Sequence, residues 1–240
     1  MHSDNPASRL LNILKNGKEQ DAHTSCRAVW SSLLGVGDSD QALLLSRLGK
    51  VMELPNIIIN QIKENYPNQV DSHSHWSETV NTAFMQQNLN GLWHEFIVHI
   101  DYHTINYLSM SADLLDMKSD SELLPADALV DIRGKVNGLL TKITESNTDQ
   151  NFKKYLVRYL HKILIAIDEY HISGAIPISE CIESTFGHML LDKDYRHSME
   201  ESELGKQVVA ILGAVASVVT VAVGLPQLSN PFQYMLENPK

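Results

Sequence analysis

Residues 149–168 read DQNFKKYLVRYLHKILIAID, and this stretch decides the fold. Phe152, Tyr155, Leu156, Tyr159, Leu160, Ile163, Leu164 and Ile167 recur at three- and four-residue steps, the period of a helix with one buried face. Thr148-Asp149 supplies an N-terminal cap. The run His171-Ile172-Ser173-Gly174 closes the helix, with Gly174 placed for the left-handed cap position. Pro177 then opens a partner helix carrying Ile178, Cys181, Ile182, Thr185, Phe186 and Met189. So short a connection between matched apolar faces predicts an antiparallel helical hairpin over 149–190.

The same grammar extends in both directions. Upstream, Leu129, Ile132, Val136, Leu139 and Ile143 mark a helix with Pro125 in its first turn, preceded by a polar break at 118–121. One long apolar periodicity runs from Leu92 to about Met117, and Trp76, Val80, Ala83 and Phe84 form another helix before it. Nearer the start, Asn5-Pro6 caps a helix carrying Leu10, Leu11, Ile13 and Leu14. A second helix is expected from Lys18 to Leu34, a third after Asp38 or Ser39, and a short fourth opened by Pro55. Downstream of the hairpin, Asp192 to Glu203 reads as an acidic joint before a final apolar helix. Neither strand-like alternation nor a repeat of fixed period is visible. The expectation is an all-α multi-helix bundle of about ten helices with a C-terminal apolar helix. Its parts are an N-terminal helical subdomain over 1–70, a central bundle over 71–205, and the apolar helix and tail over 206–240.

That last helix is the most unusual segment. Val208 to Leu225 reads VVAILGAVASVVTVAVGL, without a charge and with only Ser217 and Thr220 as polar members. At 1.5 Å per residue it spans about 27 Å, close to the thickness of a bilayer core. Being apolar all round, it calls for burial on every side, in protein or in lipid. Small residues recur at four-residue steps, Gly213 with Ser217 and Ala216 with Thr220 and Gly224, a pattern that lets helix backbones approach closely. Two readings stand. The segment is the spine of a soluble bundle, or it is a membrane or self-association element displaying Val208, Ile211, Gly213, Ser217, Thr220, Gly224 and Leu225.

Composition narrows the function classes. The 240 residues are 43% apolar and 20% charged, enough for a real core, and the net charge of −10 argues against general nucleic-acid binding. Two cysteines, Cys26 and Cys181, build no disulfide framework and have no metal-like spacing. The start lacks the basic and apolar regions of a secretory signal, and no Asn-X-Ser/Thr acceptor occurs, so folding in a reducing cytoplasm is expected, with membrane association through the C-terminal helix as the alternative.

No reaction is written in the chain. Phosphate-binding and nucleophile-elbow motifs are absent. Eleven histidines are many for this length, and the densest group is WHEFIVHIDYH over 93–103. On one continuous helix Glu95, His99 and His103 fall at i, i+4 and i+8, so a neighbouring pair can hold a divalent metal, with His73 and His75 as further ligand candidates. The zincin spacing fails, because His99 comes one residue late after His94. No other cofactor and no small-molecule substrate is implied. Lys154, Arg158 and Lys162 form a basic i, i+4, i+8 stripe, ordinarily the solvated face of an amphipathic helix and otherwise a site for an anionic partner or lipid headgroups.

Tyr155 to Gly174, followed by Ile178 to Gly187 and the Val-rich tail ending Val223-Gly-Leu-Pro226, resembles uncharacterised bacterial all-helical proteins of mobile-element and phage-defence neighbourhoods. The resemblance covers the last third of the chain and brings no catalytic residues with it. It implies a bacterial antiphage or abortive-infection effector, a toxin component, or the partner of one. The resulting expectation is a non-enzymatic interaction protein that binds a protein partner or a second copy of itself, with the apolar helix acting in oligomerisation or at a membrane. A soluble scaffold or immunity-type protein is the alternative, and a metal-dependent enzyme the remote one.

Overall fold

The computed structural model describes residues 4–37, 39–69, 74–119 and 121–224. Among the described residues there are twelve α-helices and no strand, only an isolated antiparallel bridge between Ser25 and Leu92. The described residues therefore form an all-α multi-helix protein whose last described helix is apolar. Two compact units divide it, Met1–Asp120 and Ser121–Lys240. The polar break at 118–121 marks that division, whereas the boundaries expected after 70 and after 205 fall inside the units. Helices on either side of residue 70 share one core, and the apolar helix packs into the second unit rather than standing apart.

The first unit comprises α1 (Pro6–Lys18), α2 (Cys26–Leu33), α3 (Gln41–Asn65), α4 (Ser74–Gln86), α5 (His94–Ile97) and α6 (Tyr102–Asp116), with a short 3-10 turn at Pro67–Gln69. Asn5 caps α1 by accepting the Ser8 amide at 2.8 Å, and its own side-chain amide donates to the Ala112 carbonyl and to Asp116, tying α1 to α6. Trp30, Phe84, Trp93 and Phe96 form the aromatic centre, with Trp30 edge-on to Trp93 at 5.1 Å and to Phe96 at 5.0 Å.

Three sequence expectations change here. The helix expected from Lys18 to Leu34 is confined to α2, because Cys26 N donates to Gly91 O and Trp93 N to Thr24 O, drawing 22–26 into a crossing with 91–94. The expected third and fourth helices are one, since α3 runs through Pro55. An internal proline costs about 3 kcal/mol. It is tolerated because Leu44, Leu48, Val51, Pro55, Ile58 and Ile62 form one unbroken buried stripe. The long run from Leu92 to Met117 is broken between α5 and α6, where the Asp101 side chain accepts the Thr104 amide and starts a new helix.

The second unit holds α7 (Ala126–Glu145), α8 (Gln150–Asp168), the single-turn α9 (Tyr170–Ser173), α10 (Ile176–Leu191), α11 (Lys193–Glu201) and α12 (Glu203–Val223). Its four long helices run up-down-up-down. Arg133 on α7 pairs with Asp168 at the far end of α8, and Lys153 reaches back to the Ser146 carbonyl. Gly174, with φ of 74° and ψ of −164°, lets the chain turn from α9 into α10, which returns along α8 and sets His188 against Tyr155 at 4.3 Å. Lys142 donates to Gln207 and the Glu122 amide to the Ala222 carbonyl, so α12 runs antiparallel to α7. Since α8 packs on α7 and α10, and α12 packs on the same two, α8 and α12 occupy opposite corners. The expected acidic joint over 192–203 is instead mostly α11, capped by Asp192 and closing one end of the bundle through Tyr195 and Met199.

Candidate functional site

The second unit presents three surfaces with chemical character. The first is α12. Val208, Leu212, Val215, Ala216, Val219, Thr220 and Ala222 face the core, while Ala210, Ala214 and Val218 are exposed and Ile211, Gly213 and Ser217 half-buried. The helix is thus not buried on every side. The expected small-residue ridge divides between two faces, for Ala216 and Thr220 point inward whereas Gly213 and Ser217 lie on the outer side. Among the described residues, a Cβ on Gly213 would meet nothing within 4 Å. The Ser217 and Thr220 hydroxyls donate to carbonyls one turn back, at Gly213 and Ala216, so the helix satisfies its own polar groups. Gly224 is exposed with φ of 69°, and Leu225 lies outside the described residues. By length and composition, residues Glu203–Thr220 form a helix capable of crossing a membrane, with 39% of that window buried in the folded unit.

The second surface is the outer face of α8. Lys154, Arg158 and Lys162 are all exposed there with His161, and Ile165 prolongs the row. Arg158 and Lys162 sit over the Tyr159 ring at 5.4 and 5.9 Å from its centroid. Lys153 stands apart, spent on the Ser146 carbonyl.

The third surface was hidden from the sequence. Where the N-termini of α8 and α11 meet, a cleft of about 330 Å³ is lined by Asp149, Phe152, Tyr155, Asp192, Asp194 and Tyr195 among others. Asp149 and Asp192 are both caps, each accepting two backbone amides with one oxygen. Behind the cleft, His188 lies 4.8 Å from Tyr195 and 6.0 Å from Tyr159. Burial, with the negative charge of Asp192 nearby, holds the Tyr195 hydroxyl far above the ordinary tyrosine range. Acidic rims and aromatic walls favour positive groups and disfavour anions. The Asp192-to-Asp194 pattern signals the start of α11 locally, but not the approach of Asp149 that completes the cleft.

In the first unit, the break at Asp101 overturns the arrangement expected of Glu95, His99 and His103. Glu95 belongs to α5 and folds back over Gly91, His99 lies in the connection, and His103 opens α6. They share no helix face. His103 instead stacks with Tyr107 and stands 6.4 Å from His75, whose Nε2 is 3.6 Å from Asp101. Among the described residues no group of three or more His, Cys, Asp and Glu side chains is placed to hold a metal, and His73 lies outside them. Both cysteines are free; burial, helped by the Glu95 charge, raises the Cys26 thiol to about 11, and burial also raises that of Cys181.

No family model, no curated protein and no solved structure matches the chain.

Proposed function

We propose that this chain is a helical interaction protein that acts through the outward face of α12, pairing with a second copy or with a helix of a partner. One observation carries the reading. A surface helix of a soluble unit ordinarily turns charged residues to solvent. From Ala210 to Val218, however, α12 turns out only alanine, glycine, serine, valine and the half-buried Ile211, with no charge, and at Gly213 no described residue fills the space beyond the backbone. Such a face admits another helix at short range without displacing long side chains. Its inward side is part of the core, which supports a soluble, partner-binding protein in this folded form. The resemblance of the last third to proteins of phage-defence neighbourhoods supports a place among bacterial antiphage or abortive-infection components.

Membrane association is the second reading, favoured by the length and composition of Glu203–Thr220. Full insertion would withdraw Val208, Leu212, Val215 and Val219 from the bundle, so it requires a trigger that opens the unit. Sedimentation equilibrium of the full chain, beside Gly213→Leu, tests the first reading. Self-association in the micromolar range that the variant loses, with helicity unchanged, is expected. A monomer at about 100 μM that also fails to float with liposomes would remove self-association and membrane association, leaving only a partner's helix as the occupant of this face.

A further inference from the structure

We infer that the outward face of α8 is a docking strip for an acidic helix of a partner protein, separate from anything α12 does. The two faces lie at opposite corners of the four-helix unit, so one flat surface cannot engage both. Lys154, Arg158 and Lys162, together with His161 and the half-exposed Ile165, make a row about 17 Å long. In a chain of net charge −10 none of the three long cations has a carboxylate partner among the described residues, while Arg133, Lys135 and Arg9 each do. The Tyr159 ring beneath holds the heads of Arg158 and Lys162, which lowers the entropy lost when they bind.

The surroundings choose between anionic partners. Exposed Glu180 and Glu183 lie on α10, the helix packed beside α8, and Asp149 and Asp194 line the cleft at its N-terminal end. Neighbouring helices are separated by about 8–10 Å, close to the screening length of about 8 Å at physiological salt. A broad anionic sheet such as a lipid surface therefore meets both signs of charge at once. A single acidic helix lying along α8 meets only the cationic row. Glutamates at i, i+4 and i+8 on such a helix match the spacing of Lys154, Arg158 and Lys162, and an apolar side chain beyond them meets Ile165.

Two synthetic helical peptides of identical composition test this by fluorescence anisotropy with the full-length protein. One carries glutamates at i, i+4 and i+8 with a leucine beyond, and the other distributes the same residues around the helix. The aligned peptide is expected to bind at least about tenfold more tightly than the distributed one, and to weaken with salt. The triple variant Lys154→Gln, Arg158→Gln, Lys162→Gln, whose exposed positions and helix propensity leave the fold intact by circular dichroism, is expected to lose at least about tenfold. Equal binding of the two peptides, undiminished binding by the variant, or no binding at all overturns the inference. Flotation of the wild type, but not the variant, with phosphatidylserine-rich vesicles while the peptides fail to bind assigns the row to a membrane and equally overturns it.

Discussion

The carboxylate of Asp101 accepts the Thr104 amide at 2.6 Å with one oxygen and faces His75 Nε2 at 3.6 Å with the other, so one side chain both starts α6 and tethers α4 to it. Those contacts, the Thr104 bonds first and the charges of His75 and His103 after them, hold the Asp101 carboxyl below its usual value. A carboxyl depressed in the folded state stabilises fully above its unfolded value near 3.9, and that stabilisation disappears as the pH falls through the folded value. Asp101→Ala is expected to cost about 1 kcal/mol at neutral pH. The gap in melting temperature between wild type and variant should close as the pH drops below about 4. An unchanged gap at acid pH would show that the carboxylate is not the cap.

Gly205 and Gly213 lie two turns apart on α12 and are expected to respond oppositely to alanine. A Cβ at Gly205 would stand 2.6 Å from Met199 Cα and collide with the Ser198 and Met199 carbonyls, which no rotamer relieves. Gly205→Ala should destabilise by about 1–3 kcal/mol. At Gly213 the space is open, so Gly213→Ala should gain about 0.5–1 kcal/mol from helix propensity. Chemical denaturation of both variants measures the pair, and a loss at Gly213 would mean that this face is already occupied.

The helical class and the hairpin of α8 and α10 were legible because amphipathic period 3.6 is written directly in residues such as Leu156, Leu160 and Ile163. Breaks were read less well, since they depend on partners distant in sequence. Pro55 looks like a helix start until the stripe from Leu44 to Ile62 is seen buried along its whole length. Asp101 looks like a surface residue within a long helix until it caps a new one, and the expected metal face disappears with that single hydrogen bond. The cationic row on α8 needed no distant information, because its members share one helix. The cleft was illegible for the opposite reason: Asp149 and Asp192 are 43 positions apart, and only the reversal at Gly174 brings the two helix starts together.

Cysteine reactivity gives a separate check on burial. Cys26 has no exposed surface and its thiol is raised to about 11, so very little thiolate exists near pH 8. Cys181 is half-buried, on the α10 face beside Lys162, whose charge partly offsets its burial. Native protein treated with a disulfide reagent at about pH 8 should react slowly at Cys181 alone. Cys181→Ser should then show no native reaction, and one thiol should appear on denaturation. Rapid modification of two thiols in the native protein would contradict the packing of α2.

Tyr195 on α11 carries a buried hydroxyl. The residue is buried between α8 and α10, edge-on to Tyr155 and His188, and its Oη has no hydrogen-bond partner among the described residues. A buried polar group without a partner costs about 1–3 kcal/mol relative to an apolar group of the same shape. Tyr195→Phe keeps the ring contacts to Phe152, Tyr155 and His188 and removes only that oxygen. The variant is therefore expected to be more stable by about 1 kcal/mol, read as a raised denaturation midpoint with unchanged slope. Because the wild-type hydroxyl titrates far above the ordinary tyrosine range, ionising it at high pH destabilises the fold, and that contribution to alkaline unfolding should vanish in the variant. A lowered midpoint would instead mean that the hydroxyl is satisfied in solution by a water or ligand group reaching it through the acidic cleft.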